Sequence, residues 1–379
     1  MIDMEERYDC LIVGGGAAGI GMASVLQDLQ VNRFAVLERN EVGSSFLSWP
    51  EEMKFITPSF TSNAYGMMDL NAVARNTSPA FTLGTEHPSG SEYAAYLQAI
   101  ADYKELPVMT GVDVTSIVPD DGGFRLETSQ GTLCAAFVIW AAGEFQYPKL
   151  ESFPGAEYGI HNSQVMSWAE LQGEQFIVVG GYESGVDAAI QLSKLGKNVT
   201  VIDRHDRGLD KGSSDPSVEL SPYTKDRLRI AMETGRIEFL SDFDVKWIEE
   251  SDDKGFIVYC ENEHGTSHLL KTDHPPIMAT GFHNSANTIE NLIGHSTGGE
   301  LQLTSCDEST ATPGLFIVGP GVQHGGLKLC FIYKFRQRFA VVAHAIGSRL
   351  GLDLTPLDPY RQDGMYLDDL SCCGENCAC

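Results

Sequence analysis

Four thiols stand among the last eight residues of the sequence: Cys372, Cys373, Cys377 and Cys379. The other five cysteines, Cys10, Cys134, Cys260, Cys306 and Cys330, are scattered through apolar or strand-like stretches and read as reduced core residues. Clustered thiols suit two chemistries. The adjacent pair Cys372 and Cys373 can cycle between dithiol and disulfide and so relay two electrons. All four together can bind a soft metal ion such as zinc, although their spacing differs from that of ordinary structural zinc motifs. A tail whose thiols merely oxidise is the third reading.

Hydroxyls supply a second set. Phe55-Ile56-Thr57-Pro58-Ser59-Phe60-Thr61-Ser62-Asn63 has little helix or strand periodicity and offers Thr57, Ser59 and Asn63 as hydrogen-bonding groups. It reads as a loop shaping a site, or as a surface loop capped by its own Ser and Thr. No His–Cys or carboxylate pair stands out as an acid–base couple, and His161 and His324, near motif ends, read as structural histidines.

Glycines supply the third set. Gly14, Gly16 and Gly19 are followed by Glu38; Gly180, Gly181, Tyr182, Glu183, Ser184 and Gly185 are followed by Asp203. Such spacing handles phosphate. The first glycine turns the chain sharply, the second leaves room for a pyrophosphate, and the third lets a helix pack close to a strand. Amides at the start of that helix, here Ala17 and Ala18, hold the phosphate charge with help from the helix dipole. The acid at the next strand end accepts from a ribose hydroxyl.

The elements around these residues fit that role. Tyr8 to Val13 is an apolar strand, Ala17 to Leu29 a small-residue helix, and Phe34 to Leu37 a second strand ending at Glu38. Gln175 to Val179, the helix Val186 to Leu195 and the strand Asn198 to Asp203 repeat the unit. Two such units imply electron transfer between two bound dinucleotides. By domain order the first takes FAD and the second the nicotinamide donor. Tyr182 departs from the rule by standing where the middle glycine belongs, so the phosphates sit differently or bind more weakly there. Asp203 suits a free ribose diol and hence NADH, whereas Arg204, His205 and Arg207 suit the 2′-phosphate of NADPH. The basic cluster tips the reading to NADPH.

Between and after the units, Arg39 to Pro50, with Ser45, Phe46 and Trp49, suits packing against a flat ring. Ser89 caps an amphipathic helix from Tyr93, and Val108 to Thr132 reads as a β-meander. The buried strands ending at Ala142-Gly143, Thr280-Gly281 and Gly319 return each sheet to its nucleotide. Gly326, Leu327 and Lys328 lead into a helix from Leu329 to Leu350, whose N-terminus can aim amides at the flavin pyrimidine edge. The class is α/β, a two-dinucleotide-binding-domain flavoprotein with two Rossmann-like domains, parallel sheets and β-meanders. Residues 1–150 form the first part of the FAD-binding domain, 151–285 an inserted NAD(P)H-binding domain, 286–351 the return segment, and 352–379 a Cys-rich tail.

The 379-residue chain carries a net charge of −26, which argues against nucleic acid or an anionic membrane as partner. No apolar run is long enough to span a bilayer. The charged start leads straight into the first strand and does not read as a signal peptide, so a cytoplasmic protein is expected. A homodimer would let one tail reach the other subunit.

On these residues the chain resembles bacterial FAD- and NAD(P)H-dependent oxidoreductases of the flavin-containing monooxygenase type, and within them the smaller members associated with cation-efflux proteins. The likeness rests on Gly14, Gly16 and Gly19, Glu38 to Gly43, Thr57-Pro58-Ser59-Phe60, Ala141-Ala142-Gly143, Phe153-Pro154-Gly155 with His161, Ala279-Thr280-Gly281 and Tyr333-Lys334-Phe335-Arg336. Ser44-Ser45-Phe46 through Pro50 and the loop near Ser221-Pro222 are similar to the bacillithiol-disulfide-reductase branch. There are departures. The gap from Gly155 to His161 is longer than the monooxygenase fingerprint expects, and Gly43-Ser44-Ser45-Phe46 replaces its double glycine and tryptophan. Gly319-Pro320 replaces the Gly-Asp of thioredoxin reductases. The resemblance implies hydride transfer from NAD(P)H to FAD, then to dioxygen and a small substrate. Its rivals are a disulfide or metal-thiol reductase working through the terminal cysteines, and a flavin-binding redox sensor or scaffold.

Overall fold

The computed structural model describes residues 7–61, 68–150, 153–205, 217–252, 254–294 and 300–370. Asn63, Arg207, Cys372, Cys373, Cys377 and Cys379 lie outside the described residues.

The chain runs β1 (Tyr8–Val13), α1 (Ala17–Asp28) and β2 (Phe34–Glu38), then the short helices α2 (Ser44–Leu47) and α3 (Pro79–Leu83). Helix α4 (Gly90–Tyr103) starts with a capping box: the Ser89 hydroxyl accepts from the Glu92 amide, and the Glu92 carboxylate accepts from the Ser89 amide at 2.7 Å. Strands β3 (Val108–Thr110), β4 (Val114–Asp120), β5 (Gly123–Thr128) and β6 (Gly131–Trp140) follow. Next come β7 (Ile160–His161), β8 (Gln175–Val179), α5 (Glu183–Lys194), β9 (Asn198–Asp203), α6 (Pro222–Met232) and β10 (Ile237–Ser241). Strands β11 (Asp244–Glu250), β12 (Phe256–Glu261), β13 (Ser267–Thr272) and β14 (Ile277–Met278) precede β15 (Leu315–Ile317). The chain then passes through β16 (Gln323–His324), β17 (Leu327–Lys328), α7 (Ile332–Phe335), α8 (Phe339–Leu350) and α9 (Asp358–Gln362).

These elements form two compact units. One comprises the described residues of Met1–Leu47, Pro58–Glu144 and Asn284–Cys379; the other comprises those of Ser48–Thr57 and Phe145–His283. The sequence expectation left Ser48–Thr57 in the first domain.

The first unit is built on a sheet ordered β3-β2-β1-β6-β5-β4, with β15 also paired to β6. Strands β3, β2, β1, β6 and β15 are parallel, and Ile12 lies between Val36 and Ile139. The apolar runs of β1, β2 and β15 are continuous because both faces are covered. Strand β6 does double duty: its first half pairs antiparallel with β5 and its second half parallel with β1. The expected meander is therefore β4, β5 and the start of β6, while β3 joins the parallel edge beside β2. Helix α1 buries Ile20, Met22, Val25 and Leu26, and Gly21 leaves room for the fully buried ring of Phe339 on α8.

The second unit carries a parallel sheet, β10-β9-β8-β14-β7, and an antiparallel sheet, β11-β12-β13. Val178, Val201 and Ile277 on the parallel strands pack with Ile190 and Leu192 of α5.

Two elements differ from expectation. The helix expected from Leu329 begins at Ile332 and is interrupted by a 3₁₀ turn over Arg336–Arg338. Tertiary bonds explain the break. Buried Arg336 donates to the Asp69 and Ala72 carbonyls, and buried Arg338 donates through Nε to Asp307 at 2.9 Å. Residues 352–370, expected in the tail, include α9 and bury Leu357, Tyr360 and Met365. Among the described residues no helix is long and apolar enough to cross a membrane.

Candidate functional site

The first glycine turn lies at the carboxyl end of β1. Gly14 has φ +109°, a region only glycine enters easily, and a Cβ there would lie 2.5 Å from the Ala141 carbonyl oxygen. A Cβ on Gly19 would drive into the carbonyl oxygen of Gly14, so this glycine sets how closely α1 approaches the turn. Among the described residues, a Cβ on Gly16 would meet nothing within 4 Å beyond its own turn. Gly16 offers no side chain to cap the α1 amides, which leaves them for another acceptor. That is a cradle for an anionic group.

Behind the turn, Glu38 is buried at the end of β2. Its Oε2 accepts from the Gly15 amide at 2.6 Å and its Oε1 from the Asn40 amide at 2.8 Å and the Ser44 hydroxyl at 3.4 Å. Gly319 joins this cradle: its Cβ position lies 3.3 Å from Cβ of Ala18. The strand end at Ala142-Gly143 is tied to the return segment, since Ser285 donates its amide to the Gly143 carbonyl at 3.1 Å and accepts from the Trp140 indole at 3.0 Å.

Other expected residues are placed as follows. Ser45 and Phe46 lie on α2, and Phe46 meets the ring of Tyr93 edge-on at 4.8 Å. Arg39 is exposed. Trp49 belongs to the other unit and packs on Phe55 at 5.0 Å. Thr57 and Ser59, both buried, fall on either side of the unit boundary. Ser59 accepts from the Asn71 side chain at 2.9 Å. Gly325 and Gly326 are the tip of the β16–β17 hairpin, so Gly326, Leu327 and Lys328 do not stand at a helix N-terminus.

The second turn repeats the first in the φ of its opening glycine and in the carbonyl contacts of its first and last glycines. Gly180 has φ +106°, and a Cβ on it or on Gly185 would strike a carbonyl oxygen, that of Ala279 or of Gly180. Gly181 passes so close to Asp203 that its Cβ position lies 2.8 Å from Cβ of that buried acid. Helix α5 begins at Glu183, earlier than the periodicity suggests, because Tyr182 is its N-cap. The Tyr182 side chain makes no capping bond. Its hydroxyl donates to the Glu219 carbonyl at 3.2 Å. Ser184 lies in the first turn of α5.

Glu183 turns its carboxylate to the start of α6. It accepts from the Ser221 amide through Oε1 and from the Thr224 hydroxyl through Oε2 at 2.6 Å. Burial pushes this carboxyl above its ordinary pKa, against the downward pull of those bonds. One turn on, buried Asp187 pairs with Arg227, and burial raises its pKa as well.

Thr280 and Gly281 form the turn after β14. The Thr280 hydroxyl donates to the Lys149 carbonyl. Gly281 receives the Lys149 amide at 2.9 Å, and its carbonyl lies 3.0 Å from Nε2 of buried His161. Burial lowers the pKa of His161, so it stays a neutral brace for this turn. Arg204 is exposed and paired with Asp244 at 2.7 Å, whose other oxygen is 3.5 Å from Lys246.

Sequence reasoning missed the partners that immobilise these groups: Asn71 on Ser59, Glu219 and Thr224 on the Tyr182–Glu183 pair, and Asp244 on Arg204. None has a local signal, because each pair is separated by 12 or more residues.

The family model for pyridine nucleotide-disulphide oxidoreductases matches residues 11–319. A CzcO-like oxidoreductase of Geobacillus kaustophilus is 28% identical over 195 residues, 50% of this chain and 53% of that protein. The chain thus spans about half the length of this curated relative. Among solved structures, the bacillithiol disulfide reductase Bdr of Staphylococcus aureus aligns with a TM-score of 0.72 at 19% identity, covering 91% of this chain and 99% of that one. A flavin-containing monooxygenase from Stenotrophomonas maltophilia aligns with a TM-score of 0.69 at 16% identity, covering 91% and 99%. At these identities the likeness is one of fold.

Proposed function

The chain belongs to the pyridine nucleotide-disulphide oxidoreductase family, and on that premise we propose that it oxidises NAD(P)H through a bound FAD. The observation that carries this reading is the duplication of the glycine turn, each with a helix whose N-cap residue makes no side-chain capping bond and a buried acid behind it.

In this reading Gly14, Gly16 and the first amides of α1 hold the FAD pyrophosphate, and Glu38 orients its ribose. Gly180, Gly181 and the start of α5 do the same for the nicotinamide dinucleotide, with Asp203 beside its ribose. When bound, FAD supplies the redox chemistry, accepting a hydride equivalent and passing two electrons onward. The protein's part is to bind, orient and shield. Arg204 and Arg207 favour NADPH over NADH.

Two electron acceptors compete, a disulfide or metal–thiol centre and dioxygen with a small substrate. We favour the first. The four terminal thiols have no other assigned task.

Stopped-flow reduction of the FAD-loaded protein by NADPH and by NADH tests the reading. The flavin absorbance should bleach, and disulfide should restore it only while residues 371–379 are present. A protein that retains no flavin, or whose flavin neither nucleotide bleaches, overturns the proposal. A long-lived peroxide-type absorbance in air, with turnover independent of the tail, moves the acceptor to dioxygen.

A further inference from the structure

Tyr182 breaks the glycine rule, and the bland explanation is a decayed nucleotide site. The geometry points elsewhere. The backbone at Tyr182 (φ −102°, ψ −167°) closely follows that at Gly16 (φ −82°, ψ −165°), so the tyrosine leaves the turn undistorted. Its ring packs against the buried core of the second unit and carries its hydroxyl to the carbonyl of Glu219. Glu183 reaches the same segment from the next position, through the Ser221 amide and the Thr224 hydroxyl.

Residues 217–221 are thereby held within one side chain's length of the α5 N-terminus. Three further contacts fix them. Lys225 binds the Glu219 carboxylate at 3.2 Å, Leu220 is buried in the core, and Ser221 caps α6 by accepting from the Thr224 amide. Val218 is left 61% exposed. Asp187 and Arg227 tie α5 to α6 one turn further along.

We infer that Tyr182 and Glu183 are positioning residues of the nicotinamide dinucleotide site: they hold residues 217–221 as a fixed strap beside the diphosphate-binding end of α5. The inference rests on the reading that the second cradle takes NAD(P)H. The strap also has an electrostatic consequence. A carboxylate in the first turn of a helix competes with an anionic ligand for the same dipole and amides. Bonded to Ser221 and Thr224, Glu183 is turned toward α6 instead.

The two explanations of Tyr182 predict opposite signs. If tyrosine is an obstruction, Tyr182→Gly restores the common motif and tightens nucleotide binding. If it is a post, the same change weakens it. The test is isothermal titration of the FAD-containing protein with NADP+ and NAD+, for wild type, Tyr182→Gly, Tyr182→Phe and Glu183→Gln. We expect affinity to fall about tenfold or more in Tyr182→Gly and about threefold in Tyr182→Phe, which keeps the ring and loses one hydrogen bond. In Glu183→Gln, amide exchange at residues 217–224 should quicken along with the loss of affinity.

Flavin content should be unchanged in all three variants. In turnover, KM for the nucleotide should rise with kcat preserved, a split that general destabilisation does not produce. Equal or tighter binding by Tyr182→Gly overturns the inference while leaving the second cradle's assignment standing. Should that variant fail to fold, wild-type affinity in both Tyr182→Phe and Glu183→Gln overturns it. If wild type binds neither nucleotide, the assignment itself is wrong and the inference goes with it.

Discussion

Gly16 and Tyr182 hold the same post, the N-cap of the helix that follows β1 in one unit and β8 in the other, and they differ in everything beyond the backbone. Around Gly16 there is space among the described residues, with none beyond its own turn within 4 Å of a Cβ. Around Tyr182 there is a built wall, reached by its own hydroxyl and by the carboxylate of Glu183. The next residue follows the same division: Ala17 in the first unit has no reach, Glu183 in the second spans to another helix. The positions with positive φ or a carbonyl at van der Waals distance are glycine in both copies, because steric limits admit nothing else there. The position with negative φ and no backbone clash admits a side chain. A retained site and a modified site can therefore be told apart by which glycine is lost.

Substituting the glycines that both copies keep should give the largest effect and divide the two sites. Gly19→Ala places a methyl against the Gly14 carbonyl, and Gly185→Ala places one against that of Gly180. Overpacking of this kind costs about 1–3 kcal/mol locally. In Gly19→Ala the purified protein should lose most of its flavin absorbance. In Gly185→Ala flavin should remain while nucleotide affinity falls about tenfold or more, 1.4 kcal/mol being one decade. Flavin loss in Gly185→Ala with full nucleotide binding would reverse the assignment of the two cradles.

A smaller effect is expected where the copies differ in surface charge. Glu38 is enclosed by backbone amides and Ser44, whereas Asp203 is followed by Arg204, an exposed cation paired with Asp244. Removing the competing acid in Asp244→Asn should free Arg204 for a 2′-phosphate. The ratio of NADPH to NADH affinity should rise about threefold, in line with an exposed ion pair worth under 1 kcal/mol, and the gain should shrink at high salt. An unchanged ratio at low salt would show that Arg204 plays no part in choosing between the nucleotides.

Features set by neighbours in sequence were legible without coordinates, and those set by distant partners were not. The two turns with their acids could be read because a sharp turn and a close helix approach demand glycine at fixed spacing. The break at Arg336–Arg338 could not, since residues 69, 72 and 307 cause it. The periodicity from Leu329 to Leu350 is helical, and tertiary bonds override it. The anchoring of Ser59 was hidden because Asn71 is twelve residues away. Tyr182 read only as a departure from the glycine rule because Glu219, which gives its hydroxyl a task, lies 37 positions on. The parallel placement of β3 was hidden for a related reason: three residues carry no period, and it is the ladder with β2, flanked by the bonds from the Val36 amide to the Pro107 carbonyl and from the Val112 amide to the Glu38 carbonyl, both 2.9 Å, that places the strand.

The smallest effect concerns pH and separates a post from a bystander at Glu183. Burial raises its pKa in the folded protein above that of an exposed glutamate, and the bonds from Thr224 and Ser221 only partly offset this. A carboxyl whose folded pKa is raised favours folding while it is protonated in both states. That contribution is complete below the unfolded pKa and is lost as pH rises through the folded one. Wild type should therefore lose some stability of the second unit across that interval, read as the pH dependence of thermal unfolding. Glutamine is neutral throughout, so Glu183→Gln should remove this component of the slope. The corresponding position in the first unit is Ala17, which cannot titrate, and Ala17→Ser should leave the pH profile of unfolding as it is in wild type. An identical slope in wild type and Glu183→Gln would mean that the carboxylate is solvated rather than enclosed, and the wall beside the second cradle would lose one of its two posts.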